Sequence, residues 1–135
     1  MEITQYCEKH GIRLARVAQL KRRPDTNAME EHAADMRHWR CTLARGRKRM
    51  MVYFSTGSLV PAVRLDDLMD ALRIESTTVD GLSFDAYCSE TGDNPDSRRT
   101  EAIYRACVSQ ARRFKAFLGP GLGLWDELVY AVEGL

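Results

Sequence analysis

The chain has 135 residues, 44% of them hydrophobic and 29% charged, with Lys+Arg 20 against Asp+Glu 19 and a net charge of +1. That balance excludes an intrinsically disordered chain, a collagen-like repeat and a disulfide-dense scaffold. The length suits one domain with one core, and no apolar run approaches the roughly 18 residues of a membrane span.

Residues 2–10 read as a short helix ending at Gly11, since glycine is favoured just past a helix end. Ile12 to Leu20 reads as a strand of imperfect alternation, with Ile12, Leu14 and Ala18 on one phase and Ala15 and Val17 on the other. Pro24, Asp25 and Asn27 are turn residues, so 21–35 is a loop with a little helix at 28–34. Trp39, Cys41 and Leu43 then alternate with His38, Arg40, Thr42 and Ala44, the period of a half-buried strand. A turn at Arg45-Gly46-Arg47-Lys48 leads to the apolar run Met50-Met51-Val52-Tyr53-Phe54. Together these spell a β-hairpin over 37–55 whose second strand is the more buried, with Trp39 in the core. Gly57 and Pro61 place a loop at 55–63.

From Leu65 the period turns helical. Leu65, Leu68, Met69 and Leu72 form one stripe, and Asp66 and Asp67 sit in the first turn, where the helix dipole favours acids. Ser83 is a candidate N-cap for a short helix through about Ser89, ended by Gly92. The longest helix runs about 97–118 on Ile103, Cys107, Ala111, Phe114 and Leu118, and Gly119-Pro120-Gly121 stops it. A last helix, about 122–132, packs through Leu122, Trp125, Leu128, Val129 and Val132. Strands segregated from helices indicate an α+β fold. One domain over 1–135 holds a small antiparallel sheet (the hairpin 37–55 plus a strand near 12–20) against about four helices.

The near-zero net charge is a cancellation. Residues 1–35 are neutral, 36–64 carry +7 with no acid, 65–96 carry −8, 97–125 carry +5 and 126–135 carry −3. Arg98, Arg105 and Arg112 recur every seven residues, which places them near one face of the long helix. One reading pairs acidic and basic elements inside the fold or leaves them as ordinary solvated faces. Two sharper readings stand beside it. The acids Asp66, Asp67, Asp70, Asp93 and Asp96 could imitate nucleic-acid phosphate and occupy a basic groove on a partner, since complementary fields select partners. The bases Arg45, Arg47, Lys48 and Arg49 of the hairpin turn, with the Arg98/Arg105/Arg112 stripe, could instead follow phosphates directly.

No catalytic signature is present: no GxSxG, HExxH or GxxxxGK[ST]. Gly119-Pro120-Gly121-Leu122-Gly123 follows a helix and lacks the Lys and Ser/Thr of a phosphate loop. It reads as a helix stop. Asp93 and Asp96 lack the ~12-residue calcium-loop pattern, and His38 lies on the opposite strand phase to Cys41. The four cysteines, Cys7, Cys41, Cys88 and Cys107, form no CxxC pair. His10, His32 and His38 supply no metal-ligand spacing. The expectation is reduced, mostly buried thiols in a cytosolic protein with no signal peptide, no metal and no cofactor.

The order His10-Gly11-Ile12, then Met36-Arg37-His38-Trp39-Arg40-Cys41-Thr42-Leu43, then Arg49 through Ser58 resembles a family of small uncharacterised phage and prophage accessory proteins. The resemblance extends through Leu65–Leu72, Ser83–Glu90, Asp93-Asn94-Pro95-Asp96-Ser97-Arg98, Tyr104-Arg105-Ala106-Cys107 and Phe117-Leu118-Gly119. It covers about residues 3–130. The segment after Ser58 departs from it, being Leu-Val-Pro-Ala-Val rather than glycine-rich. So does the tail, which carries the extra Gly119–Gly123 segment. The resemblance implies a mobile-element protein acting in a bacterial host cytoplasm. Members of that class often bind and block host machinery, CRISPR effectors included. The leading expectation is therefore a non-enzymatic inhibitor of a host defence or nucleic-acid-handling complex, of anti-CRISPR type, acting through its charged surfaces: the acidic block 66–96 on a basic groove, or the basic hairpin and helix stripe on an acidic one. The alternative is a nucleic-acid-binding accessory factor using the basic set.

Overall fold

Glycine and serine set most of the helix ends. Gly11 adopts the left-handed conformation (φ 65°) and its N–H returns to the carbonyls of Cys7 and Glu8, closing α1 (Ile3–His10). The side chains of Ser83 and Ser97 accept from Ala86 N and Thr100 N, starting α3 (Phe84–Thr91) and α4 (Arg98–Leu118). Between α1 and α3 lie β1 (Ile12–Leu20), β2 (Met36–Arg45), β3 (Lys48–Gly57) and α2 (Leu65–Val79), and α5 (Gly123–Tyr130) follows α4. The computed structural model describes residues 1–24, 36–119, 121 and 123–132. The helix expected at 28–34 and the Leu122 expected in the last helix lie outside them.

The fold is α+β, a three-stranded antiparallel sheet in the order β1-β2-β3 with five helices among the described residues. The imperfect alternation of β1 has a geometric cause. A bulge between Leu14 and Arg16 lets Leu14 pair with Leu43 and Val17 with Cys41, so the phase facing the core switches at Ala15. The hairpin turn is the two residues Gly46-Arg47, with Gly46 at φ 58°, as a tight hairpin requires.

The expectation that β3 would be the more buried hairpin strand is reversed. Trp39, Cys41, Leu43 and Ala44 of β2 are buried, against Met50 and Val52 of β3. β2 is central and paired on both sides, whereas β3 is an edge, and only Met50, Val52 and Phe54 of its apolar run turn inward. β3 also continues through Ser55 and Thr56 to Gly57, which pairs with Met36. Thr56 Oγ1 there accepts from Trp39 Nε1 at 2.9 Å, satisfying the one polar atom of a buried indole.

One core joins the inner sheet face (Ile12, Trp39, Cys41, Leu43, Met50, Val52) to α1, α2, α4 and α5 through Tyr6, Leu68, Met69, Phe114, Leu118 and Leu128. A second, smaller one joins Val79, Tyr87, Cys88 and Ala111. None of the four cysteines is in a disulfide, and Cys7, Cys41 and Cys88 are buried. Burial pushes the thiols of Cys7 and Cys41 up to about 11, which leaves them as inert core residues.

α5 is tied to α1 by polar contacts. Tyr6 Oη donates to the Leu124 carbonyl at 2.7 Å, and Glu127 accepts from Lys9 at 2.6 Å and from His10. Those hydrogen bonds, Lys9 first and His10 second, hold the Glu127 carboxyl below the usual glutamate range. A lowered folded-state pKa stabilises above the ordinary value and is lost as pH falls through the folded one. Melting temperatures of the native chain and Glu127→Gln should therefore differ at pH 6 and draw together as pH falls below the ordinary glutamate range. A constant gap across that range would contradict the assignment.

Candidate nucleic-acid interface

The strands 12–20, 36–45 and 48–57 contain seven bases (Arg13, Arg16, Arg37, Arg40, Arg45, Lys48 and Arg49) and no acid. Pleating divides these bases between the two faces. The inner phase of the hairpin ends in Arg45 and Lys48, and both turn toward the C-terminus of α4. Arg45 Nε donates to the Phe117 carbonyl at 3.0 Å and Lys48 Nζ to the Ala116 carbonyl at 3.0 Å. The last turn of a helix has unpaired carbonyls and a negative dipole end, so two cations there are a structural cap. Gly119, at φ 112°, passes close by; a Cβ on it would stand 3.5 Å from Arg45 Nη2.

Within the turn cluster, then, Arg45 and Lys48 serve the fold, while Arg47 is exposed at the tip. Arg49 braces the turn by donating to the carbonyls of Gly46 and Lys48 and stays exposed. Arg45→Ala should cost about 1–2 kcal/mol, the loss of a charge-assisted hydrogen bond to a helix end. Arg47→Ala should stay within about 0.5 kcal/mol. Urea unfolding of both variants checks this; equal effects would contradict the capping role.

The outer face is built by the register. Across the sheet the rows run Arg13–Ala44–Arg49, Arg16–Thr42–Met51, Ala18–Arg40–Tyr53 and Leu20–His38–Ser55. None of these residues belongs to either core cluster, although Ala44 is fully buried. Arg13, Arg16, Arg40 and Arg49 are exposed, and none has an ion-pair partner among the described residues. Arg13, Arg16 and Arg40 stood outside the expected basic set. Period-two alternation was their signal, blurred in β1 by the bulge.

The same surface continues onto α4. Arg113 Nη1 donates to the Met51 carbonyl at 3.0 Å, so α4 lies along the β3 edge. A groove at that edge is lined by Lys48, Arg49, Met50, Met51, Arg113, Ala116 and Phe117, and a second by Tyr104, Arg105, Val108, Ser109, Arg112 and Arg113. They share Arg113, and neither has an acid in its lining. The hairpin turn and the arginine stripe are thereby joined through a residue outside the expected set. Arg105 and Arg112 are exposed beside the second groove, Arg105 also meeting Glu101 at 2.6 Å. Arg98 is exposed at the start of α4, 14 residues and so about 21 Å from Arg112.

The acidic set falls on two elements. Asp66 is chelated by Arg64 (3.0 and 3.2 Å) and accepts from the Asp67 N–H, which makes it the first-turn acid of α2. Asp70 is half-buried, 3.8 Å from Arg73. Asp93 accepts from Thr91 Oγ1 at 3.0 Å in the α3–α4 loop. Asp67 and Asp96 are exposed.

A further cavity of about 530 Å³ is lined by Asp80, Lys115, Trp125, Asp126 and Tyr130 among others. Lys115 there pairs with Asp80 and stands 4.9 Å from the Trp125 ring centre, a cation–π contact within the fold. Among the described residues no His/Cys/Asp/Glu group could hold a metal ion, and no helix is long and apolar enough to cross a membrane. Compared with protein-family models, with curated proteins and with solved structures, the chain matches none of them.

Proposed function

We propose that the protein binds nucleic acid through its outer sheet face and the two grooves along α4. The observation that carries this reading is the continuity of the basic surface. Arg13, Arg16, Arg40 and Arg49 on the sheet pass into Arg113, Arg112 and Arg105 on the helix, with no acid on the strands or in either groove lining. The sheet guanidiniums Arg13, Arg16, Arg40 and Arg49 are free of ion pairs among the described residues and need no internal bridge broken before meeting a phosphate, and five donors each suit them to it. Binding would release condensed counterions, so log K should fall linearly with log salt. The slope is about −0.7 per phosphate on a single strand, or about −3 for four engaged arginines. Fluorescence anisotropy of labelled oligonucleotides between 50 and 200 mM salt tests it; no binding at the lower salt refutes it.

A second reading follows the resemblance to phage accessory proteins. In it the chain inhibits a host defence or nucleic-acid-handling complex by presenting acids to a basic groove. Exposed Asp67, Asp93 and Asp96 favour it. Pull-down from bacterial lysate with and without nuclease separates the two. A protein partner that survives nuclease and is lost in the Asp67/Asp93/Asp96 alanine variant favours inhibition; a partner lost to nuclease favours the first reading.

A further inference from the structure

We infer that the nucleic acid is single-stranded and that Tyr53 is the ring on which a base stacks. This inference rests on the nucleic-acid reading above and specifies its ligand.

The outer face has the relief of a shallow trough. Its floor is made of the short, half-buried side chains Ala18 and Thr42; Ala44, on the same face, is covered. One wall is Arg13 and Arg16 on β1, the other Arg49 with Met51 and Tyr53 on β3, and Arg40 rises between Ala18 and Tyr53. Tyr53 is half-buried and belongs to neither core cluster. Its ring is therefore an aromatic surface on this face that the core does not use. Arg40 beside it can pair with the phosphate of the same nucleotide or lie against its base.

Width counts against entry into the major groove of a duplex. Neighbouring strands lie about 4.8 Å apart, so three strands span about 10 Å between outer axes before any side chain is counted. The major groove is about 12 Å wide and admits a helix or a two-stranded ribbon. A three-stranded face with arginines on both flanking strands is too broad to enter it. A single strand needs no groove: its bases can turn to the trough floor and Tyr53 while its phosphates meet the flanking arginines. The charge of the trough, basic with no acid on its strands, complements that backbone.

The experiment compares fluorescein-labelled dT15, U15 and a 15-base-pair mixed-sequence DNA duplex with the full chain by anisotropy at 50 and 150 mM salt. The two single strands share the chemistry, and their ratio tells DNA from RNA. Either should bind at least tenfold more tightly than the duplex. Tyr53→Ala should weaken the single strand roughly tenfold to a hundredfold, and Tyr53→Phe, which keeps the ring, should hold within about threefold of the native chain. Circular dichroism confirms folding of each variant, and the native-chain comparison stands without them. Equal or tighter duplex binding overturns the inference, as does an unchanged single-strand affinity in a folded Tyr53→Ala. If duplex binds with the salt slope and single strands do not, the inference fails and the nucleic-acid reading survives. If nothing binds at 50 mM salt, both fail.

Discussion

Replacing Arg16, Arg40, Arg49 and Arg112 together by glutamine should lower affinity for a single-stranded oligonucleotide on the order of a thousandfold at about 50 mM salt. The figure follows from counterion release. Four phosphates at about 0.7 ions each contribute close to three powers of the salt concentration, and the slope should flatten by the same amount, about 3. Glutamine removes the charge while keeping a polar side chain with two N–H donors, and the salt slope isolates the part of the loss that is due to charge. The four positions are exposed and cap no helix, and the Arg49 hydrogen bonds to the turn carbonyls are solvent-exposed, so the melting temperature should hold within a few degrees. Arg45 and Lys48 are excluded because they hold the end of α4. Replacing them would confuse binding with folding. An unchanged affinity and slope would remove this surface from the function.

Phe114→Ala should destabilise the fold by about 3–5 kcal/mol, a large part of the 5–15 kcal/mol typical of one domain. Phe114 is fully buried near the C-terminal end of α4 and meets Trp125 edge-to-face, with ring centres 6.2 Å apart at 88°. It joins α4 and α5 to the sheet core, so its removal leaves a cavity that three elements would have to move to close. Urea unfolding should show a lower midpoint with unchanged slope. Tyr130→Ala, at a residue 83% exposed, should stay within about 0.5 kcal/mol. A Phe114→Ala loss below about 1 kcal/mol would mean that α5 is not integral to the core.

What could be read from the residues followed the range of the interactions. Helix ends were legible because their causes are local: Gly11, Ser83, Gly92 and Ser97 act on backbone groups within a few residues. The α+β class and the hairpin were legible from period alone. Strand burial was misjudged because it depends on which strand is central. That is a property of pairing order, and the apolar run 50–54 does not carry it. The basic site was half legible. Arg49, Arg105 and Arg112 were named from charge and spacing. Arg47 could not be told from Arg45 and Lys48, whose partners lie about 70 residues away in sequence. Arg113 was missed because its role depends on a β3 carbonyl that α4 meets only in the folded chain.

The bulge in β1 has a consequence for the protein in concentrated solution. β1 and β3 are both sheet edges, and an open edge is a template on which a second copy could add a strand and begin to polymerise. The extra residue at Ala15 interrupts the even spacing of backbone donors and acceptors along β1, so an incoming straight strand could match only half of it. On the other edge Arg113 already occupies the Met51 carbonyl. Arginines along both edges add like-charge repulsion between copies. The residues proposed to attract phosphate thus also keep the sheet from recruiting its own kind.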